Sequence, residues 1–78
     1  MDVVGKFTGE IRHNMKLLRQ LREDSSYSQS QLAKKSGICV DTIKRLEIFQ
    51  RNPLVITAAR LCDAMGYDII VVRRPSEE

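Results

Sequence analysis

Histidine and cysteine are scarce in this chain of 78 residues: His13 stands alone, and Cys39 and Cys62 lie far apart. Without paired ligand spacings these three residues do not make a metal site, so no metal is expected. The four glycines form no phosphate-cradling loop, and no nucleophile is matched to a base. Nothing converges on a reactive centre, so neither catalysis nor a cofactor is expected. No run approaches the roughly 18 apolar residues that span a bilayer. The opening MDVVGKFTGE lacks the basic leader and apolar stretch of a secretory signal. A soluble, cytoplasmic chain with reduced thiols is the expectation. Internal repeats and low-complexity segments are also absent. The length leaves no room for a second core, so residues 1–78 are expected to form one domain. A domain this small buries only about 60% of the surface its unfolded chain exposes, which predicts marginal stability.

What is present is concentrated in Ser28–Glu47, which reads SQSQLAKKSGICVDTIKRLE. Leu32, Ala33, Ile38, Ile43 and Leu46 fall at helical spacing on either side of Gly37. Two short helices joined by a tight glycine turn make a helix-turn-helix, whose second helix can lie in a DNA major groove. The net charge is a modest +3, and its placement is more informative. Within residues 28–51, Lys34, Lys35, Lys44, Arg45 and Arg51 face only Asp41 and Glu47. The excess therefore sits where phosphate contacts would be wanted, although lysines also commonly just solvate helix faces.

The remaining elements follow from caps and breaks. Helices are expected over about 9–24, 29–36, 40–48 and 54–65. Thr8 can cap the first, whose inner stripe is Ile11, Met15, Leu18 and Leu21. Ser28 and Gln31 form a capping box for the second, with Tyr27 stapled onto Leu32, and Gly37 ends it. Cys39, a weak capping residue, precedes the third. Pro53 sets up the fourth, expected to bury Val55, Ala58, Leu61, Cys62 and Met65 before Gly66 stops it. Residues 67–73 then change character: Tyr67, Ile69, Ile70, Val71 and Val72 are aromatic or β-branched, and they read as a strand. A lone strand leaves an open edge, and the simplest partner is the same strand of a second molecule about a two-fold axis. A fifth short helix is the alternative.

The stretch Leu21–Gly66 resembles the Xre family of phage-repressor-like DNA-binding domains. It carries L-R, then S-Q-x-x-L-A-x-x-x-G-I, then T-I-x-x-L-E, then a proline-started helix ending in M-G, with agreeing spacings. The terminal strand and M-K-L-x-R-Q in the first helix are similar to HipB-like antitoxins, which partner a HipA-type kinase toxin. The resemblance implies a mainly α, four-helix domain with a C-terminal strand that pairs across a homodimer through Ile69, Ile70, Val71 and Val72. It implies a repressor acting on a palindromic operator in double-stranded DNA.

The resemblance also assigns residues. Ser28 and Gln29 open the second helix, where Gln29 would meet the DNA backbone and orient a base-reading side chain. Val40, Asp41, Thr42 and Arg45 would face the groove, with Lys44 beside them. Arg45 suits guanine O6 and N7, Thr42 a thymine methyl or a phosphate, and Lys44 a phosphate. Asp41 could accept from cytosine N4 or simply complement the helix N-terminus, and the second role is favoured. Val40 could touch a methyl group or pack. Arg22 and Glu47 occupy positions that commonly pair across the domain, and both are read as structural. Two features depart from the family: Cys39 replaces the usual Ser or Thr cap, and Ile48-Phe49-Gln50 replaces an Asn-Gly-type turn. Two other readings stay open, a free-standing phage or chromosomal regulator and a protein-interaction module that does not bind DNA.

Overall fold

A computed structural model describes residues 2–48, 54–70 and 73. Four helices follow in order: α1 (Ile11–Asp24), α2 (Gln29–Ser36), α3 (Val40–Glu47) and α4 (Val55–Ala64). Each of α1 and α2 packs against both α3 and α4, and α2 also meets its neighbours most extensively. The shared core is Met15, Leu18, Leu21, Leu32, Ile43, Leu46, Leu61, Cys62, Ala64 and Met65. Ile11, Tyr27, Ala33, Ile38 and Tyr67 seal its edges. None of the described helices is long and apolar enough to cross a membrane.

α1 begins later than Thr8 capping requires. The Thr8 hydroxyl accepts instead from the Glu10 N–H at 3.1 Å, closing a local turn. Asn14, buried on the inner face of α1, takes both backbone groups of Thr8: its Oδ1 accepts from Thr8 N and its Nδ2 donates to Thr8 O, each at 2.8 Å. These three bonds hold Thr8 out of the helix, so Glu10 becomes the N-cap without any side-chain cap. His13 is exposed, and its Nε2 lies 2.6 Å from Lys6 O, drawing the preceding segment along α1.

Two helices end in the same motif with different residues. After α4, Gly66 has φ +87°, Tyr67 N donates to Cys62 O at 2.8 Å, and Gly66 N donates to Asp63 O at 3.1 Å. This is a Schellman cap, and glycine supplies its left-handed residue without a Cβ penalty. After α1, Tyr27 N donates to Arg22 O at 3.2 Å and Ser26 N to Glu23 O at 3.0 Å, but the left-handed residue is Ser26 at φ +61°. A residue with a Cβ pays about 1–2 kcal/mol in that region. Part of this returns as the extra unfolded-state freedom of glycine, so Ser26→Gly is expected to stabilise the domain by about 0.5–1 kcal/mol. A thermal midpoint several degrees higher in circular dichroism is the readout; an unchanged midpoint would show that the turn carries no strain.

Helix α4 departs from its expected burial. Ala58, Leu61, Cys62 and Met65 are buried, but Val55 is 80% exposed, and Leu54 and Ile56 beside it are also exposed. Val55 is in phase with Ala58, yet phase does not supply cover: the cover over Ala58 does not extend to Val55. The expected strand is likewise not seen among the described residues. Tyr67–Ile70 adopt neither strand nor helix, and Val71 and Val72 lie outside the described residues. A strand needs a second strand for its ladder hydrogen bonds, and no described segment of this chain provides one.

The two thiols differ in accessibility. Cys39 is exposed and Cys62 is buried, and burial raises the Cys62 pKa above the ordinary thiol value. A raised folded-state pKa gives stability that is complete below the unfolded pKa, about 8.5, and is lost as pH rises through the folded value. Iodoacetamide at neutral pH is expected to add once, at Cys39, in the native chain, and twice in denaturant, as read by intact mass. Two additions without denaturant would mean that α4 opens readily.

Candidate nucleic-acid interface

The surface is built from the start of α2 and the outward side of α3. α2 starts at a complete capping box. Ser28 Oγ accepts from Gln31 N at 3.0 Å, and Gln31 Oε1 accepts from Ser28 N at 2.8 Å. The exposed Ser28 hydroxyl spends an acceptor lone pair on this cap and keeps its own O–H to donate. Gly37, at φ +76°, ends α2 with its N–H donating to Ala33 O at 3.0 Å, and three residues later the chain enters α3. Cys39 is the N-cap of α3 and makes no side-chain cap bond, leaving that helix start less secured than the first.

Helical spacing sorts α3 into two sides. Ile43, Leu46 and Glu47 are buried. Asp41, Lys44, Arg45 and Ile48 form an exposed outward stripe, with half-buried Val40 and Thr42 on its shoulders. Arg45 Nη2 lies 3.2 Å from Asp41 Oδ2, one helical turn away. Asp41 also sits in the first turn of α3, where the helix N-terminus favours negative charge. Among these residues Lys44 and Arg45 bring positive charge, and Ile48 adds an apolar end to the same stripe.

Glu47 registers the two helices against each other. Its carboxylate is 7% exposed and accepts from Arg22 Nε at 2.7 Å, Arg22 Nη2 at 2.8 Å and Gln29 Nε2 at 3.2 Å. Arg22 Nη1 donates to Tyr27 O at 2.8 Å, so one guanidinium ties α1, the corner before α2, and α3. Hydrogen bonding to Glu47 holds the Arg22 pKa above its ordinary value against the opposing cost of burial, with smaller contributions from the charges of Glu47 and Glu23. The Arg22–Glu47 pairing that the family resemblance implies is therefore present. Gln29 is a member of the same network. One hydrogen of its Nε2 goes to Glu47, and the other meets no acceptor among the described residues. Among the described residues no buried side-chain nitrogen or oxygen lacks a partner.

The structure thus gathers Asp41, Lys44 and Arg45 on one stripe, flanks them with Val40 and Thr42, and holds Gln29 to the inner side of α3. Lys35 keeps its charge but is tied back onto Tyr27: its Nζ donates to Tyr27 Oη at 2.7 Å and lies 5.1 Å from the Tyr27 ring centre. Lys34 stays exposed one position earlier. The Gln29–Glu47 and Asp41–Arg45 bonds were not anticipated from the sequence. The i,i+4 spacing could have found the second. The first joins residues 18 positions apart and has no local signal. Ile69 and Ile70 are exposed beyond α4, while the loop path after Ile48 and the other two residues expected to dimerise, Val71 and Val72, lie outside the described residues.

No curated protein matches this chain. A family model described as Helix-turn-helix matches residues 18–72, from the middle of α1 through α2, the Gly37 turn, α3 and α4 into the segment after Gly66. With well over half of its length matched, and with the two short helices arranged around Gly37 as above, the chain belongs to the Xre-like helix-turn-helix family of DNA-binding transcription regulators.

Proposed function

We propose that this protein is a homodimeric, sequence-specific transcriptional repressor, and that it acts in the cytoplasm as the antitoxin of a HipA-type kinase toxin, repressing its own operon. The observation that carries the DNA-reading part is the Glu47 network, which fixes Gln29 at the start of α2 against the base of α3. A phosphate held by Gln29, the Ser28 hydroxyl and the free N–H groups of the first turn of α2 sets the depth of α3 in the major groove. Arg45 then reads guanine, Thr42 and Val40 meet a methyl group or the backbone at the two edges of the stripe, and Lys44 neutralises a phosphate.

One copy of α3 reads only a half-site. Pairing of Ile69–Val72 with the same segment of a second copy places two such helices about one helical turn apart, roughly 34 Å or 10 bp, on a palindromic operator. The exposure of Ile69 and Ile70, at 41% and 51%, supports this, since β-branched side chains at the surface gain by burial against a partner. The likeness of M-K-L-x-R-Q and of the terminal segment to HipB-like proteins supports the antitoxin role.

Selection from random duplexes at physiological salt, with sedimentation of the free protein, tests the DNA-reading part. An inverted repeat with half-sites about 10 bp apart and a dimer in solution are expected. Equal affinity for every duplex would sink the specific regulator, and no salt-dependent shift with any DNA would leave a protein-interaction module. Co-purification with a kinase-like product of a neighbouring gene tests the antitoxin role; a chain that binds its operator but no such kinase is a free-standing regulator.

A further inference from the structure

The ion pair on the outward stripe of α3 has a consequence for base selection. Both side chains are more than half exposed, 52% for Arg45 and 64% for Asp41, so the pair does little for stability. It does change what Arg45 can bind. The Asp41 carboxylate holds the guanidinium by charge at 3.2 Å from Nη2 and leaves its N–H donors for an outside acceptor. It also places a negative charge beside any group that approaches Arg45. A phosphate carries a full negative charge and is repelled strongly; guanine O6 and N7 carry only partial negative charge and are repelled much less.

We propose that Asp41 is a specificity-determining positioning residue: by pairing with Arg45 it turns that arginine from a phosphate contact into a guanine reader. This rests on the DNA-reading function proposed above. Asp41 lowers total affinity, since an acid on a DNA-facing stripe opposes the field of the phosphates. In exchange it widens the gap between the operator and other sequences, because the alternative non-specific contact of Arg45 is weakened more than the specific one. No base contact by Asp41 itself is required.

The test compares the selected operator with a scrambled duplex of equal length for the wild type, Asp41→Asn, Arg45→Ala and the double variant. Asp41→Asn keeps the shape and removes the charge. Relative to wild type it is expected to bind the scrambled duplex several-fold more tightly, and to lower the operator-to-scrambled ratio on the order of tenfold, within what one base contact discriminates. Its salt slope is expected to steepen, as one more phosphate contact becomes available. In the Arg45→Ala background the same change should leave the ratio unaltered, because the arginine it positions is gone. A role confined to the helix N-terminus would alter thermal stability but not this ratio. A wild type with no preferred duplex would overturn the DNA-reading function and this assignment together. A wild type that prefers its operator, with an unchanged ratio in Asp41→Asn, would overturn the assignment alone. A ratio that still falls in the Arg45→Ala background would make Asp41 a base contact in its own right and overturn its role through Arg45.

Discussion

Replacing Arg45 by alanine is expected to remove most of the sequence preference while leaving the fold intact. Arg45 lies on the exposed stripe of α3, and its one partner among the described residues is the likewise exposed Asp41. Truncating it therefore breaks nothing in the core, and the thermal midpoint should barely move. A bidentate arginine–guanine contact discriminates by about 1–3 kcal/mol, so operator affinity should fall by roughly tenfold to a hundredfold per half-site. Binding to scrambled duplex should fall much less. Lys44→Ala offers the contrast, because a phosphate contact carries no sequence information. It should weaken all duplexes alike and lower the salt slope by about one contact. Fluorescence anisotropy across a salt series separates the two. Equal losses on operator and scrambled DNA for Arg45→Ala would mean that this arginine holds backbone, and that the reading residue lies elsewhere on the stripe.

Features set by a few neighbouring residues are legible in the sequence. Ser28 and Gln31 close their box across three positions, and Gly37 ends α2 because a left-handed residue is needed there. The buried stripe Met15, Leu18 and Leu21 follows from helical period alone. Where the reading missed, distant or unusual partners decided. The start of α1 depends on Asn14 reaching back six positions to Thr8, a bond that no capping rule foresees. Ser26 adopts a left-handed conformation that sequence reading assigns to glycine, in a cap closed by Tyr27 N to Arg22 O and Ser26 N to Glu23 O. Val55 has the phase of a core residue and none of the cover. Periodicity fixes which way a side chain points but not whether a neighbour meets it. The candidate interface divides likewise. Its outward stripe is a matter of period, but the Gln29–Glu47–Arg22 network joins α1, α2 and α3. Its Arg22–Glu47 member was reachable only through family resemblance.

That network is also where a single substitution should do most damage. Arg22 is 14% exposed and Glu47 7%, so both charges are largely out of water and each depends on the other. Glu47→Ala strands a guanidinium that cannot lose its proton, with only Tyr27 O left to satisfy it. Removing one partner of such a pair costs about 3–5 kcal/mol. A small domain has only about 5–15 kcal/mol in all, and one this short lies toward the low end. Glu47→Ala is therefore expected to be largely unfolded at 37 °C, whereas Arg22→Met with Glu47→Leu should recover most of the stability, since neither charge is then buried alone. The recovered double variant separates stability from positioning. It is folded, yet Gln29 has lost the carboxylate that fixed its amide, so operator and scrambled DNA should both bind more weakly by a similar factor. Such uniform loss marks a phosphate contact, in contrast to the selective loss expected for Arg45→Ala. A stable double variant with wild-type affinity would show that the Glu47 bond to Gln29 does not position it for DNA. An Arg22→Ala chain that melts like wild type but no longer binds DNA would make Arg22 itself a DNA contact instead of the strut between α1 and α3.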